Sequence, residues 1–240
     1  MHLAILMTNT DESAFAQAHP KDGEKFAALI HAVRPDWSCD VFAVKDGVFP
    51  DDLAAFDGVM VTGSPASVHD DEPWIGRLLD LIREIVATGV PLFGACFGHQ
   101  AIAMALGGKV ETNPGGWIFG LTRADVVDPA PWMTPLGPQL AQYGAHIEQV
   151  TEPPAGARIL IGSAACPVGG FAIGGRVYTT QNHPEMSADF AAALIEEYAG
   201  KLPEEVVGQA RASLSARADY EEFAETVARF FEQADAGPAA

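Results

Sequence analysis

Apolar residues in the first half of the chain fall into short runs separated by longer stretches of helical spacing. Runs at His2–Thr8, Ser38–Val44, Gly58–Thr62 and Val90–Ala95 have strand length. Between them, Gly23–Val33 and Pro73–Thr88 repeat apolar positions every three or four residues. In the second of these, Ile75, Leu78, Leu79, Leu81, Ile82, Ile85 and Val86 mark one helix face. Pro73 suits a first turn, Asp71 and Glu72 stand at the positive end of the dipole, and Gly89 and Pro91 stop the helix. Strands alternating with helices predict an α/β fold built on a parallel sheet with crossover helices.

Beyond Leu106 the pattern changes. Lys109–Thr112, Leu121–Val127, Ile147–Val150, Arg158–Gly162, Gly170–Ile173 and Arg176–Thr180 read as short strands with Gly and Pro between them. They predict a small antiparallel or mixed extension of the sheet, followed by a helix over Ala188–Tyr198. From Lys201 the composition shifts to Ala, Glu and Arg. Leu202, Val206, Val207, then Phe223, Val227, Phe230 and Phe231 predict two amphipathic helices separated near Ala218, before a frayed tail from Asp235 to Pro238. The division expected is a main domain over 1–200 and a helical extension over 201–240 packed on it. A homodimer or partner contact is the sharper use of that extension.

One pentapeptide carries the chemistry. Gly94-Ala95-Cys96-Phe97-Gly98 joins an apolar strand to an apolar helix, Ala101–Leu106. A cysteine between two glycines at such a turn reads as a nucleophile elbow, because the glycines permit the tight bend that lifts the sulfur above the sheet edge. The Phe97 N–H then points at a developing oxyanion, and the first helical turn favours thiolate. The competing role is a buried structural cysteine. The second motif is Gln181-Asn182-His183-Pro184-Glu185. Proline restricts His183 to extended geometry, and two positions along an extended chain place His183 and Glu185 on the same side. Glu185 then holds the imidazole while His183 takes the Cys96 proton, the nucleophile, base and orienter of covalent catalysis.

Gly-Ala-Cys-Phe-Gly-His-Gln followed by Gln-Asn-His-Pro-Glu resembles the class I glutamine amidotransferase family, from about Met1 to about Tyr198. The resemblance implies a Rossmann-like, flavodoxin-like three-layer sandwich with a mostly parallel sheet and helices on both faces. It implies a second oxyanion N–H from Gly63, in the turn Val61-Thr62-Gly63-Ser64-Pro65. It places Gln100, Gly115, Gly116 and Trp117 around the substrate, and His146 or Glu148 on the acceptor side. His99, beside the elbow, is read as helix-face packing. Asn182 stands where the family more often has an aromatic residue. The implied reaction is cysteine-dependent hydrolysis or transfer of glutamine or a γ-glutamyl amide through a γ-glutamyl thioester, with no metal or organic cofactor. Members similar to the glutaminase domain of GMP synthase include stand-alone γ-glutamyl peptidases. The alternatives are a glutaminase subunit that passes ammonia to a separate synthetase, and an inactive binding module.

Composition narrows the field further. A formal net charge of −18, with 32 acidic against 14 basic residues and no Lys/Arg stripe, argues against nucleic-acid binding. No apolar run approaches membrane-spanning length, and the first residues lack the basic lead-in and cleavage site of a signal peptide. Cys39, Cys96 and Cys166 show neither disulfide nor metal spacing and suit a reducing cytoplasm, with Cys39 and Cys166 structural.

Overall fold

The computed structural model describes residues 1–235; the tail expected beyond Asp235 lies outside the described residues. The elements, in chain order, are β1 (His2–Met7), α1 (Ala14–Gln17), α2 (Asp22–His31), β2 (Ser38–Ala43), β3 (Gly58–Val61), α3 (Pro73–Thr88), β4 (Leu92–Ala95) and α4 (Phe97–Ala105). They continue with β5 (Lys109–Thr112), β6 (Ile118–Val126), β7 (Gln139–His146), β8 (Glu148–Glu152), β9 (Arg158–Gly162), β10 (Gly170–Ile173) and β11 (Val177–Thr180). Three helices close the chain: α5 (Ala188–Glu197), α6 (Glu204–Ser213) and α7 (Tyr220–Asp235).

Nine strands form one sheet in the order β2-β1-β3-β4-β11-β10-β9-β6-β7. The first five run parallel, and the wing from β10 to β7 runs antiparallel. The expected strand at Ile147–Val150 is β8, which leaves the main sheet and pairs with β5 in a separate two-stranded ribbon. β7 was not expected. It is paired along its whole length with β6, His146 opposite Ile118 and Gln139 opposite Asp125.

The sandwich follows from the strand period of two. In β1, Ala4 and Leu6 face one side, where α3 and α4 cover the sheet with Leu78, Ile82, Ile85 and Ile102. Leu3 and Ile5 face the other, covered by Phe26 and Ile30 of α2 and by Phe223, Val227, Phe230 and Phe231 of α7. The C-terminal helix is therefore one layer of the main core. Tyr178 of β11 stacks on Phe223 with ring centroids 5.8 Å apart and meets Phe230 at 5.6 Å. The α6–α7 turn also occupies the edge of β7. Asp219 donates its N–H to the Ala141 carbonyl (2.9 Å) and accepts the Ala141 N–H on Oδ2 (2.7 Å).

Boundaries hold best where caps are strong. α3 begins at Pro73 and ends against Gly89, which adopts φ +76°. The parallel strands all deliver their carboxyl ends to one rim, the usual location of ligand sites in open α/β sheets. Cys96, Gly63 and His183 lie on that rim.

Candidate active site

The elbow is built by close backbone approach. Gly98 donates its N–H to the Thr62 carbonyl (3.1 Å), and a Cβ at Gly98 would stand 2.4 Å from the Val61 oxygen. A Cβ at Gly94 would meet Ile102 Cδ1 at 2.5 Å and the Gly98 carbonyl at 2.8 Å. Both glycines are required so that α4 can start directly over β3 and β4. The turn forces Cys96 to φ 51°, ψ −109°, the one positive φ at a non-glycine residue among those described. Such a conformation costs about 1–3 kcal/mol and persists only where its surroundings impose it. Here the Cys96 N–H is held by the Thr180 carbonyl (2.9 Å), which continues the β4–β11 ladder.

Cys96 is only 4% exposed, so little of the residue faces open solvent. Its neighbour is His183. A Cβ at Gly63 would lie 2.8 Å from His183 Cε1 and 3.5 Å from Cys96 Cβ, so the missing side chain is what lets ring and thiol meet. The His183 Nδ1 atom donates to Glu185 Oε1 at 2.7 Å, which leaves Nε2 for Cys96. The Glu185 side chain is 1% exposed. Burial disfavours the imidazolium. The negative charges of Cys96 and Glu185 on the two sides outweigh that, and His183 titrates well above the ordinary imidazole value. The His183 backbone is pinned separately, its N–H donating to the Tyr143 carbonyl of β7 (2.9 Å).

Thr8 and Thr62 hold the turn after β3. The Thr8 hydroxyl reaches the Gly63 carbonyl at 2.9 Å and the Thr62 hydroxyl reaches it at 3.1 Å. With that carbonyl fixed, the planar peptide directs the Ser64 N–H the opposite way. Phe97, the first residue of α4, has an N–H with no intrahelical partner, and its ring packs on Trp74.

The remaining expected site residues are arranged less directly. Gln100 is buried, and its amide donates to the Glu148 carbonyl (2.8 Å) and to Gln181 Oε1 (3.4 Å). Gly115 and Gly116 close a turn on Asn113, which accepts the Gly115 N–H on Oδ1 and the Gly116 N–H on its carbonyl. Trp117 sets its edge against Tyr198, centroids 6.4 Å apart. His146 donates from Nδ1 to the Glu148 carbonyl (3.0 Å), leaving Nε2 as a buried acceptor without a partner among the described residues. Burial holds His146 down to about 4 and His99 down to about 3, so both rings are neutral at neutral pH. His99 packs as expected, fully buried with Nδ1 on the Thr179 hydroxyl (2.8 Å). The Glu148 carboxylate accepts from Ser67 (2.8 and 3.0 Å) and ties β8 to the loop after β3.

A pocket opens beside His183. Its walls come from Ser64 and Pro65, from the segment between β1 and α2, and from Phe190, Leu194 and Tyr198 of the α5 region. None of Gln100, Gly115, Gly116, Trp117 or His146 lines it. Sequence reasoning missed the β1–α2 segment, whose Lys21 lines this pocket together with Lys25 of α2 and Lys45 from the turn after β2.

The family model of glutamine amidotransferase class-I matches residues 26–197. The chain belongs to the class I glutamine amidotransferases. It is 30% identical over 165 residues to gamma-glutamyl peptidase 3 of Arabidopsis thaliana, a match covering 65% of this chain and 66% of that protein. Against gamma-glutamyl peptidase 4 of the same plant the identity is 30%, covering 80% and 79%. Against a glutamine-hydrolyzing GMP synthase subunit from Saccharolobus solfataricus it is 35%, covering 57% and 71%. The chain thus spans just under two thirds of the length of peptidase 3. A glutamine amidotransferase of Thermotoga maritima superposes with a TM-score of 0.78 at 20% identity, covering 98% of each chain, and shares the fold. The flavodoxin-like α/β expectation holds. No helix among the described residues is long and apolar enough to cross a membrane.

Proposed function

We propose that this amidotransferase-family protein is a cysteine-dependent γ-glutamyl amide hydrolase acting through Cys96, His183 and Glu185. The observation that carries the reading is the buried His183–Glu185 pair at 2.7 Å with Cys96 on the other side of the ring, on an elbow held at positive φ. His183 Nε2 takes the thiol proton, and the thiolate attacks the γ-carbonyl carbon. The oxyanion is held by N–H groups of Phe97 and of the Gly63–Ser64 turn. The imidazolium then gives its proton to the leaving nitrogen, the C–N bond breaks, and a γ-glutamyl thioester remains. Water deprotonated by His183 adds to the thioester. The C–S bond breaks, glutamate leaves and the thiol is restored. The chemistry needs neither a metal nor an organic cofactor.

Three free cysteines fit a reducing, cytoplasmic setting for this chemistry. The likeness to a GMP synthase subunit favours a second reading, a glutaminase that passes ammonia to a separate synthetase. The test is release of glutamate by the purified protein from glutamine and from γ-glutamyl peptides, with Cys96→Ser as the blank. Cys96-dependent turnover of γ-glutamyl peptides by the protein alone is expected. Turnover confined to glutamine, and only with a synthetase present, would replace this reading with the second. Removing either Cys96 or His183 is expected to lower kcat by about 10⁴-fold or more, because groups acting as a unit fail together.

A further inference from the structure

The pocket beside His183 has two features that the hydrolysis of glutamine itself does not use. One wall is aromatic. Phe15 and Phe190 rings lie 5.8 Å apart, His19 meets Phe190 edge-on at 5.2 Å, and Tyr198 extends the same wall. The rest of the lining carries charge of both signs, Lys21, Lys25 and Lys45 beside Asp11, Glu12 and Asp22. In a chain of net charge −18, three of its five lysines stand around one cavity. Two of them are already matched. Lys25 lies 2.8 Å from Asp22 and 3.5 Å above the Phe190 ring, and Lys45 pairs with Glu12 and Asp46 at 2.7 and 2.9 Å. Neither Lys21 nor Asp11 forms an ion pair among the described residues, so Lys21 is the one lysine of this lining that no carboxylate has taken up.

His183 protonates the leaving nitrogen, so whatever that nitrogen carries must lie on the His183 side of the scissile bond. That is the side on which this pocket opens. Ammonia would leave it vacant. We infer that the pocket is a leaving-group subsite for an amino acid, with Phe15 and Phe190 receiving a bulky apolar or aromatic side chain and Lys21 receiving its carboxylate. The substrate class is then a γ-glutamyl peptide with an aromatic or bulky apolar residue after the γ-linkage. The inference rests on the hydrolase reading above for its chemistry but not for its binding. Except for Phe190 and Tyr198, these determinants precede residue 26, where the family match begins.

Two measurements on the full chain separate the inference from the reading beneath it. The first compares kcat/KM for γ-glutamyl-phenylalanine, γ-glutamyl-glycine, γ-glutamyl-phenylalaninamide and glutamine. We expect γ-glutamyl-phenylalanine to exceed γ-glutamyl-glycine by about tenfold or more, the scale at which an apolar pocket discriminates. Phe190→Ala should reduce that ratio about tenfold. Lys21→Met should lower γ-glutamyl-phenylalanine about fivefold relative to its carboxamide, the scale of one exposed charge contact. Lys21 is exposed and unpaired, so this variant folds even if Phe190→Ala does not. The second is calorimetric binding of γ-glutamyl-phenylalanine to Cys96→Ala protein, with and without Lys21→Met. Binding weakened by Lys21→Met, together with no turnover of any peptide by the chain that keeps Cys96, would retain the subsite and overturn the hydrolase. Turnover with equal kcat/KM for the phenylalanine and glycine peptides, and no Lys21 effect, would overturn the subsite and retain the hydrolase. Neither turnover nor binding would overturn both.

Discussion

The rim that carries Cys96 and the aromatic layer beneath α7 are built on opposite principles, although both rest on β4 and β11. The rim holds the strained backbone of Cys96 and a set of buried polar atoms without partners among the described residues, including His146 Nε2, Gln149 Oε1, Gln181 Nε2 and Glu185 Oε2. Unsatisfied buried groups cost about 1–3 kcal/mol each where no water reaches them. The layer below carries one such atom among the described residues, Trp132 Nε1, where the ring packs on Tyr178 and Phe230. Phe93, Tyr178, Phe223, Phe230 and Phe231 are fully buried and stack on one another. Strain and open valences concentrate where chemistry occurs, and apolar packing on the other face offsets them.

The comparison breaks most visibly at Phe230. Phe230→Ala should destabilise the fold by about 3–5 kcal/mol in a denaturant titration. Whatever fraction remains folded should keep its kcat, because α7 touches the sheet and not the thiol. A loss of kcat equal to the loss of stability would show that the two regions are not separable.

The histidines sharpen the same contrast through pH. His146 and His99 titrate at about 4 and about 3 in the folded chain, below the ordinary value near 6.5. The unfolded chain therefore binds protons between those values that the folded chain refuses. Stability present above about pH 6.5 is lost as pH falls, by about 1.4 kcal/mol per pH unit for each proton of difference. His183 has the opposite sign. Its raised value contributes stability that is complete below about pH 6.5 and lost as pH rises through the folded value. Thermal melts of His146→Gln between pH 4 and 6.5 should show a slope shallower by one proton. An unchanged slope would mean that the ring is not desolvated.

How much of this was legible in the sequence depends on where the deciding contacts lie. α3 was readable to the residue because Pro73 and Gly89 fix its ends locally. The elbow and the His183–Glu185 pair were readable because spacing alone sets their geometry. β7 was not, since Gln139–His146 mixes Gln, Gly and Ala with few β-formers and becomes a strand only by pairing with β6. The periodicity of α7 announced a buried face but not which surface would bury it. The pocket beside His183 was least legible, because Phe15 and Phe190 meet only in the folded chain.

A smaller effect tests the strain itself. Cys96→Ala removes the thiol but keeps a Cβ at φ 51°, whereas Cys96→Gly removes both. Both variants should be inactive, but the glycine variant should be the more stable by about 1–2 kcal/mol, less the entropy glycine adds to the unfolded chain. Equal midpoints would show that the elbow stores no strain.

The smallest effect separates the two ways α7 is fastened. Arg34 of the α2 C-terminal turn meets Glu225 at 2.8 Å and Glu232 at 2.6 Å, so one guanidinium joins α2 to two turns of α7. The pairs are partly exposed, and such bridges are worth about 0–1 kcal/mol after solvent screening and side-chain ordering. Arg34→Met should cost no more than this, and the difference should shrink in high salt. A cost rivaling that of Phe230→Ala would mean that charge, and not the aromatic layer, seats α7 on the sheet. The rim would then depend on a screened surface contact, and activity and stability would both fall together as salt is raised.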